Sequence, residues 1–190
     1  GYIIEGGILA IVFFVPIIFD FTLSNYNAFD LLKAVVFRVI LSLIFLVYAA
    51  KVLLSEKISL RASAKIFLLV LILLASWFLS SLLSLHPSIS FWGSYERTQG
   101  FYSLANYLLF FAMLVLNIKS LKQIKRIITA IILAGALSGL YGLIQLFGLD
   151  SLPWKERGFL TGRIFSSLGQ PNFFGQYLIM IIPLTLYSLL

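Results

Sequence analysis

One short stretch concentrates polar chemistry in an otherwise apolar chain: Gly162-Arg163-Ile164-Phe165-Ser166-Ser167-Leu168-Gly169-Gln170-Pro171-Asn172-Phe173-Phe174-Gly175-Gln176-Tyr177. These residue types suit an anion. A guanidinium grips two phosphate oxygens with its planar fork and keeps its proton. Gly169 lets backbone approach closely, and Asn172 reads as the N-cap of a following helix. A second stretch, Trp92-Gly93-Ser94-Tyr95-Glu96-Arg97-Thr98-Gln99-Gly100, also precedes an apolar run. A helix N-terminus presents unsatisfied N–H groups and a positive dipole end. Two such termini, each preceded by an arginine, would form a phosphate clamp. The candidate anion ligands are therefore Arg163, Arg97, Asn172, Gln170 and Gln99, with Gln176 beside them. Plain alternatives stand next to each. Arg97 could pair with Glu96 or a lipid headgroup, Arg163 could snorkel, and the amides could cap helices or bond between them. Arg38 lies within an apolar span, where a charge faces a cavity or partner or else snorkels to the interface.

The elements that would position these groups are long and greasy. The 190 residues are 61% hydrophobic and 11% charged, with a mean hydropathy of +1.05. Soluble domains are about half apolar and about a quarter charged. The apolar runs predict an all-α, polytopic transmembrane bundle forming a single domain, since strand edges cannot lie in lipid. Six spans are expected at 3–19, 33–54, 65–85, 101–118, 126–148 and 173–190, each near the roughly 20 residues that a bilayer needs. The first residue is Gly1 and the last run is still apolar at Leu190, so the chain reads as the N-terminal part of a larger membrane protein.

Basic residues set the expected orientation. Lys51, Lys57, Arg61 and Lys65 follow span two, and Lys119, Lys122, Lys125 and Arg126 follow span four. These loops belong in the cytoplasm. The N-terminus is then inside, and loops 20–30, 86–100 and 150–172 are outside. The last of these still carries Lys155, Arg157 and Arg163, against the topological bias. Trp77, Phe91, Trp92 and Trp154 suit an outer aromatic belt. Glu5 is read as interfacial. Gly135, Ser138, Gly139 and Gly142 give span five a small-residue face for helix packing.

Several chemistries are disfavoured. There is no cysteine, hence no thiolate metal site or disulfide. The outer acids Asp20, Asp30, Glu96, Asp150 and Glu156 are scattered, with no metal-ligand spacing. No P-loop or dinucleotide pattern occurs. The net charge of +7 lies in loops, where topology explains it, so nucleic acid is not expected as a partner. The single histidine, His86, precedes Pro87 and reads as a loop residue more readily than as a general base.

The segments FWGSYERTQGFYSLANYLLFF and GRIFSSLGQPNFFGQYL resemble the O-antigen ligase/polymerase family of bacterial membrane proteins, over about residues 75–190. The resemblance implies a metal- and cofactor-independent GT-C-type glycosyltransferase of the bacterial cytoplasmic membrane. It would take a glycan from an undecaprenyl-pyrophosphate carrier at the outer face and pass it to a hydroxyl on lipid, glycan or protein. Arg163, ahead of the Pro-Asn pair, matches a pyrophosphate-holding arginine. The family's acceptor-activating histidine and a second arginine lie in a later outer loop, so no catalytic residue is expected among these residues, and His86 does not match. A polysaccharide or lipid-linked-glycan transporter or flippase is the alternative. Repeated halves and broken mid-membrane helices would mark it, and neither is seen. A purely structural subunit would leave the polar density around Arg163 unexplained.

Overall fold

The computed structural model describes residues 2–21, 28–54, 64–94, 97–152, 154 and 163–189. Among them the chain is entirely helical, with seven α-helices, one 3₁₀ turn and no strand. In chain order these are α1 (Tyr2–Ile17), α2 (Asp30–Leu54), α3 (Ala64–Leu82), α4 (Pro87–Trp92), α5 (Phe101–Asn117), α6 (Leu121–Leu146), the 3₁₀ turn Ser166–Leu168, and α7 (Pro171–Leu189). By length and composition α2 and α6 could cross a membrane, with mean hydropathies of 2.3 and 2.2 over their most apolar windows. The helical stretches Tyr2–Ile17, Ile66–Leu82 and Phe101–Asn117 are apolar but shorter. At 1.5 Å per residue, 17 residues span only about 25 Å of a hydrocarbon core near 30 Å.

Helix boundaries depart from the hydropathy reading where capping chemistry decides them. The fifth apolar span is expected from residue 126, yet α6 begins at Leu121. The Gln123 Oε1 accepts from the backbone N–H of Ser120 (3.1 Å) and of Lys119 (2.8 Å), while the Gln123 N–H donates to Ser120 Oγ (3.3 Å). This is a Ser-x-x-Gln capping box, and it draws Lys122 and Lys125 out of the expected loop into the helix. Likewise α7 starts at Pro171, which has no N–H to lose at the first helical position. Asn172 is therefore inside the helix rather than its N-cap. The segment 86–100, expected as a loop, contains α4, again opened by a proline.

The chain forms two compact units: Gly1–Ile11 with Ala34–Ile124, and Val12–Lys33 with Lys125–Leu190. In the first, α1 buries Ile4, Ile8 and Ile11, and α2 buries Phe37, Leu41 and Ile44, each a single stripe at helical spacing. Gly7 admits the Ile44 side chain, whose Cγ1 would lie 2.6 Å from any Cβ added there. Phe37 meets Tyr107 and Phe110 of α5, and Phe78, Phe91 and Phe101 join α3, α4 and α5. Glu5 is buried rather than interfacial, and its Oε2 accepts from Gln123 Nε2 at 3.0 Å.

In the second unit α6 packs through its small residues. Gly135 abuts Ile181 of α7, and Gly142 abuts Phe174 and Ile164. Gly139, by contrast, has nothing within 4 Å of the Cβ position, so the packing face runs through 135, 138 and 142. Phe19, Ala28, Phe29, Trp154 and Phe165 form an aromatic core, flanked by Tyr141 and Leu152. Trp154 is thus buried, not a belt residue, because its indole N–H is satisfied inside by Asp150 at 2.7 Å.

The two glycines make a paired test. Gly135→Leu must displace Ile181 and is expected to destabilise the second unit by about 1–3 kcal/mol. Gly139→Ala is expected to stabilise it by roughly 0.5–1 kcal/mol through lower chain entropy. Thermal melting in detergent reads both, and an equal effect of the two substitutions would show that the α6–α7 contact is misplaced.

Candidate functional site

The Arg163 segment is irregular backbone, and its geometry is set by bonds to three helices. Ser166 takes a left-handed φ of +51° and Gly169 one of +76°. At Gly169 the Phe29 ring fills the space of a Cβ, with its Cγ 2.5 Å away, so only glycine fits. Ser166 carries the strain of αL geometry, on the order of 1–2 kcal/mol, and is held there by its partners. The Gln145 Oε1, from the end of α6, accepts from the backbone N–H of Ser166 at 2.7 Å and of Phe165 at 3.3 Å. Ser166 Oγ donates to the carbonyl oxygen of Ser138. Ser167 Oγ donates to the carbonyl of Pro16 at 2.8 Å, one of the orphan acceptors at the end of α1, and lies 3.0 Å from Ser138 Oγ. Lys33 Nζ, from the first turns of α2, donates to the Ser167 carbonyl at 2.6 Å. Both serines are buried, and both of their hydroxyls are bonded.

Asp150 anchors the other side. Its Oδ2 accepts from the Tyr141 hydroxyl at 2.8 Å, from the Trp154 indole and from Gln145 Nε2 at 3.3 Å, and its Oδ1 accepts from the Leu152 N–H at 3.1 Å. Burial pushes the carboxyl up, but these donors outweigh it and hold its pKa below the ordinary value of 3.8. One amide thus links two anchors: Gln145 donates to Asp150 and accepts from the Arg163-bearing turn.

On this support Arg163 is exposed, with Nη2 only a long 3.5 Å from Asn172 Oδ1. Gln170, Asn172 and Gln176 are also exposed around the first turns of α7. The structure therefore brings Arg163 and Asn172 together, with Gln170 between them in sequence.

Arg97, Gln99 and Arg38 belong to the first unit. Gly93 and Gly100 close the neck of their loop, where a Cβ on Gly100 would lie 2.4 Å from the Gly93 nitrogen. Thr98 has φ +50°. Arg38 Nη2 donates to Ser103 Oγ at 2.7 Å and to the Thr98 carbonyl at 3.3 Å, and its guanidinium lies 4.8 Å from the centre of the Tyr102 ring. Arg38 is thereby a brace for the loop and the start of α5, which accounts for a charge within an apolar helix. Arg97 and Gln99 are exposed. Their neighbour Glu96, together with Lys57, Arg61, Lys155, Glu156 and Arg157, lies outside the described residues, as does the side chain of Lys65. His86 is exposed and makes no side-chain cap for α4. Among the described residues no three His, Asp or Glu side chains form a metal-binding group.

Sequence reading misses Lys33, Gln145 and Asp150 as determinants of the site. The available signal is an amide near the end of an apolar helix, since polar groups in such helices are found bonded to neighbours. No family model, curated protein or solved structure matches this chain.

Two outcomes follow. Gln145→Leu takes the partner from the buried Ser166 N–H at a cost of about 1–3 kcal/mol, and amide exchange of Phe165 and Ser166 should accelerate; unchanged exchange would contradict the bond. For Asp150, the folded pKa lies below the unfolded one, so its contribution is present above the unfolded value and is lost as pH falls through the folded value. Trp154 fluorescence should report a loosening below about pH 4 that Asp150→Asn abolishes; an identical acid transition in the variant would exclude Asp150 as its origin.

Proposed function

We propose that this chain is part of a multi-spanning membrane glycosyltransferase. It would transfer a glycan from an undecaprenyl-pyrophosphate carrier to an acceptor hydroxyl at the outer face of a bacterial cytoplasmic membrane. The observation that carries the reading is the exposed Arg163 just before a turn that Gln145 and Lys33 hold in place ahead of α7. A side chain that merely packs would not need such a support, and a lipid-facing one would not be flanked by exposed Gln170 and Asn172.

The membrane setting draws on α2 and α6 and on the apolar surface left outward. Leu68, Leu69, Leu71 and Ile72 of α3 are each more than half exposed, a face that water would not tolerate. In this reading the shorter apolar helices also span, and loops 86–100 and 150–172 lie outside.

The chemistry asked of the site is modest. The acceptor hydroxyl oxygen attacks the anomeric carbon, the bond from that carbon to the carrier phosphate oxygen breaks, the electron pair leaves with the pyrophosphate, and the hydroxyl proton passes to solvent. Charge builds on the leaving group, and Arg163 with the first N–H groups of α7 would stabilise it. Asn172 and Gln170 would bond phosphate or sugar oxygens. Within the first unit, Arg97 and Gln99 are exposed donors of the same type, and Arg38 fixes the loop that carries them. His86 is not assigned the role of base.

The test is glycan transfer in cells carrying the full-length parent protein with the substitution. Arg163→Ala should lower transfer at least about a hundredfold, the order that loss of one transition-state donor produces, with membrane insertion intact. Arg163→Lys should also be impaired, because an ammonium lacks the bidentate fork. Normal transfer by Arg163→Ala would remove Arg163 from the site.

A further inference from the structure

Lys33 is placed unlike an ordinary interfacial lysine. At the start of α2 its long stem could carry the ammonium outward to water. Instead Nζ turns onto the Ser167 carbonyl at 2.6 Å. That carbonyl belongs to the residue whose hydroxyl binds the Pro16 carbonyl and lies against Ser138, and whose neighbour's N–H is taken by Gln145. Desolvating an ammonium is unfavourable unless it is bonded; the Asp30 carboxylate offsets part of that cost, and the hydrogen bond of Nζ goes to the turn. Without it the Ser167 carbonyl would be left beneath buried Ser166 and Ser167 with no charged donor. Buried backbone groups are rarely left so, and the turn would rotate to recover a partner. Arg163 lies four residues before that carbonyl and α7 begins four residues after it.

We propose that Lys33 is a positioning residue for the Arg163 anion site, fixing the Ser166–Gly169 turn so that the guanidinium and the start of α7 face one pyrophosphate. It touches the backbone, not the ligand. The inference rests on the reading of Arg163 given above, and the experiment separates the two.

The chain in nanodiscs is titrated with inorganic pyrophosphate, and amide exchange of residues 163–170 is followed in parallel. Lys33→Met should weaken pyrophosphate about tenfold, in line with the loss of one charge-assisted hydrogen bond, and should speed exchange across 163–170. Lys33→Arg, which can still reach and donate, should restore both to within about twofold. Ile181→Ala, which loosens the α6–α7 contact elsewhere in the same unit, should lower the melting temperature without weakening pyrophosphate. A Lys33→Met chain that binds and exchanges like the wild type overturns the proposal. So does equal weakening by Ile181→Ala, which would reduce Lys33 to a general strut. A wild-type chain that does not bind pyrophosphate overturns the anion site itself, and with it the role of Lys33 there. Should Lys33→Met fail to insert, Lys33→Gln keeps a neutral donor and should show intermediate affinity; wild-type affinity with unchanged exchange in that variant counts against the proposal.

Discussion

A single side-chain amide, Gln145, holds the irregular part of this chain in place. Its oxygen accepts two successive backbone N–H groups and its nitrogen donates to Asp150. In a chain this apolar, helices satisfy their own backbone, and the difficulty falls on every residue that leaves a helix. The stretch from Arg163 to Gln170 contains only the short 3₁₀ turn Ser166–Leu168. Its buried part is held because the Gln145 and Lys33 side chains, from α6 and α2, bond its backbone, while its own serine hydroxyls donate to carbonyls of α6 and α1. The left-handed Ser166 is held by the same bonds, with strain that an isolated turn would relax.

The aromatic core and the small residues of α6 serve the same end. Phe29 stacks against Trp154 at 5.2 Å and Phe165 meets both edge-on, so the turn is gripped from above as well as bonded from within. Gly135 and Gly142 let Ile181, Phe174 and Ile164 approach the α6 backbone, which brings Ser138 within reach of both serines. In the first unit, Arg38 does comparable work with a guanidinium, tying Thr98 and Ser103 together under Tyr102. In both units the charged or amide group within an apolar helix is committed to a loop carbonyl or N–H, and the exposed arginine lies next to that loop in sequence.

Much of this arrangement could be read from the residues in order. Helical character follows from the apolar runs, and the clustering of Arg163, Gly169, Gln170 and Asn172 marks the segment as the one to watch. Local capping was also legible: Ser120 and Gln123 spell a capping box, and Pro171 marks a first helical position, although a hydropathy window sees neither. What could not be read is any bond across long separation. Nothing local in Lys33 indicates a partner 134 residues away, and nothing in Glu5 indicates Gln123. Trp154 looks the same in sequence whether it faces lipid or pairs with Asp150. The six-residue α4 is too short for periodicity to reveal.

The central proposal is that the turn before α7 faces outward and seats a diphosphate. The chain has no cysteine, so Gln170→Cys introduces a single thiol beside Arg163 and the start of α7. Its labelling by a membrane-impermeant maleimide in intact cells, with and without inorganic pyrophosphate, is the direct measurement. The account predicts labelling from outside, slowed saturably by pyrophosphate, with that protection lost when Arg163→Ala is added. A thiol reached only from the cytoplasmic side, or labelled at the same rate with pyrophosphate present, would contradict it.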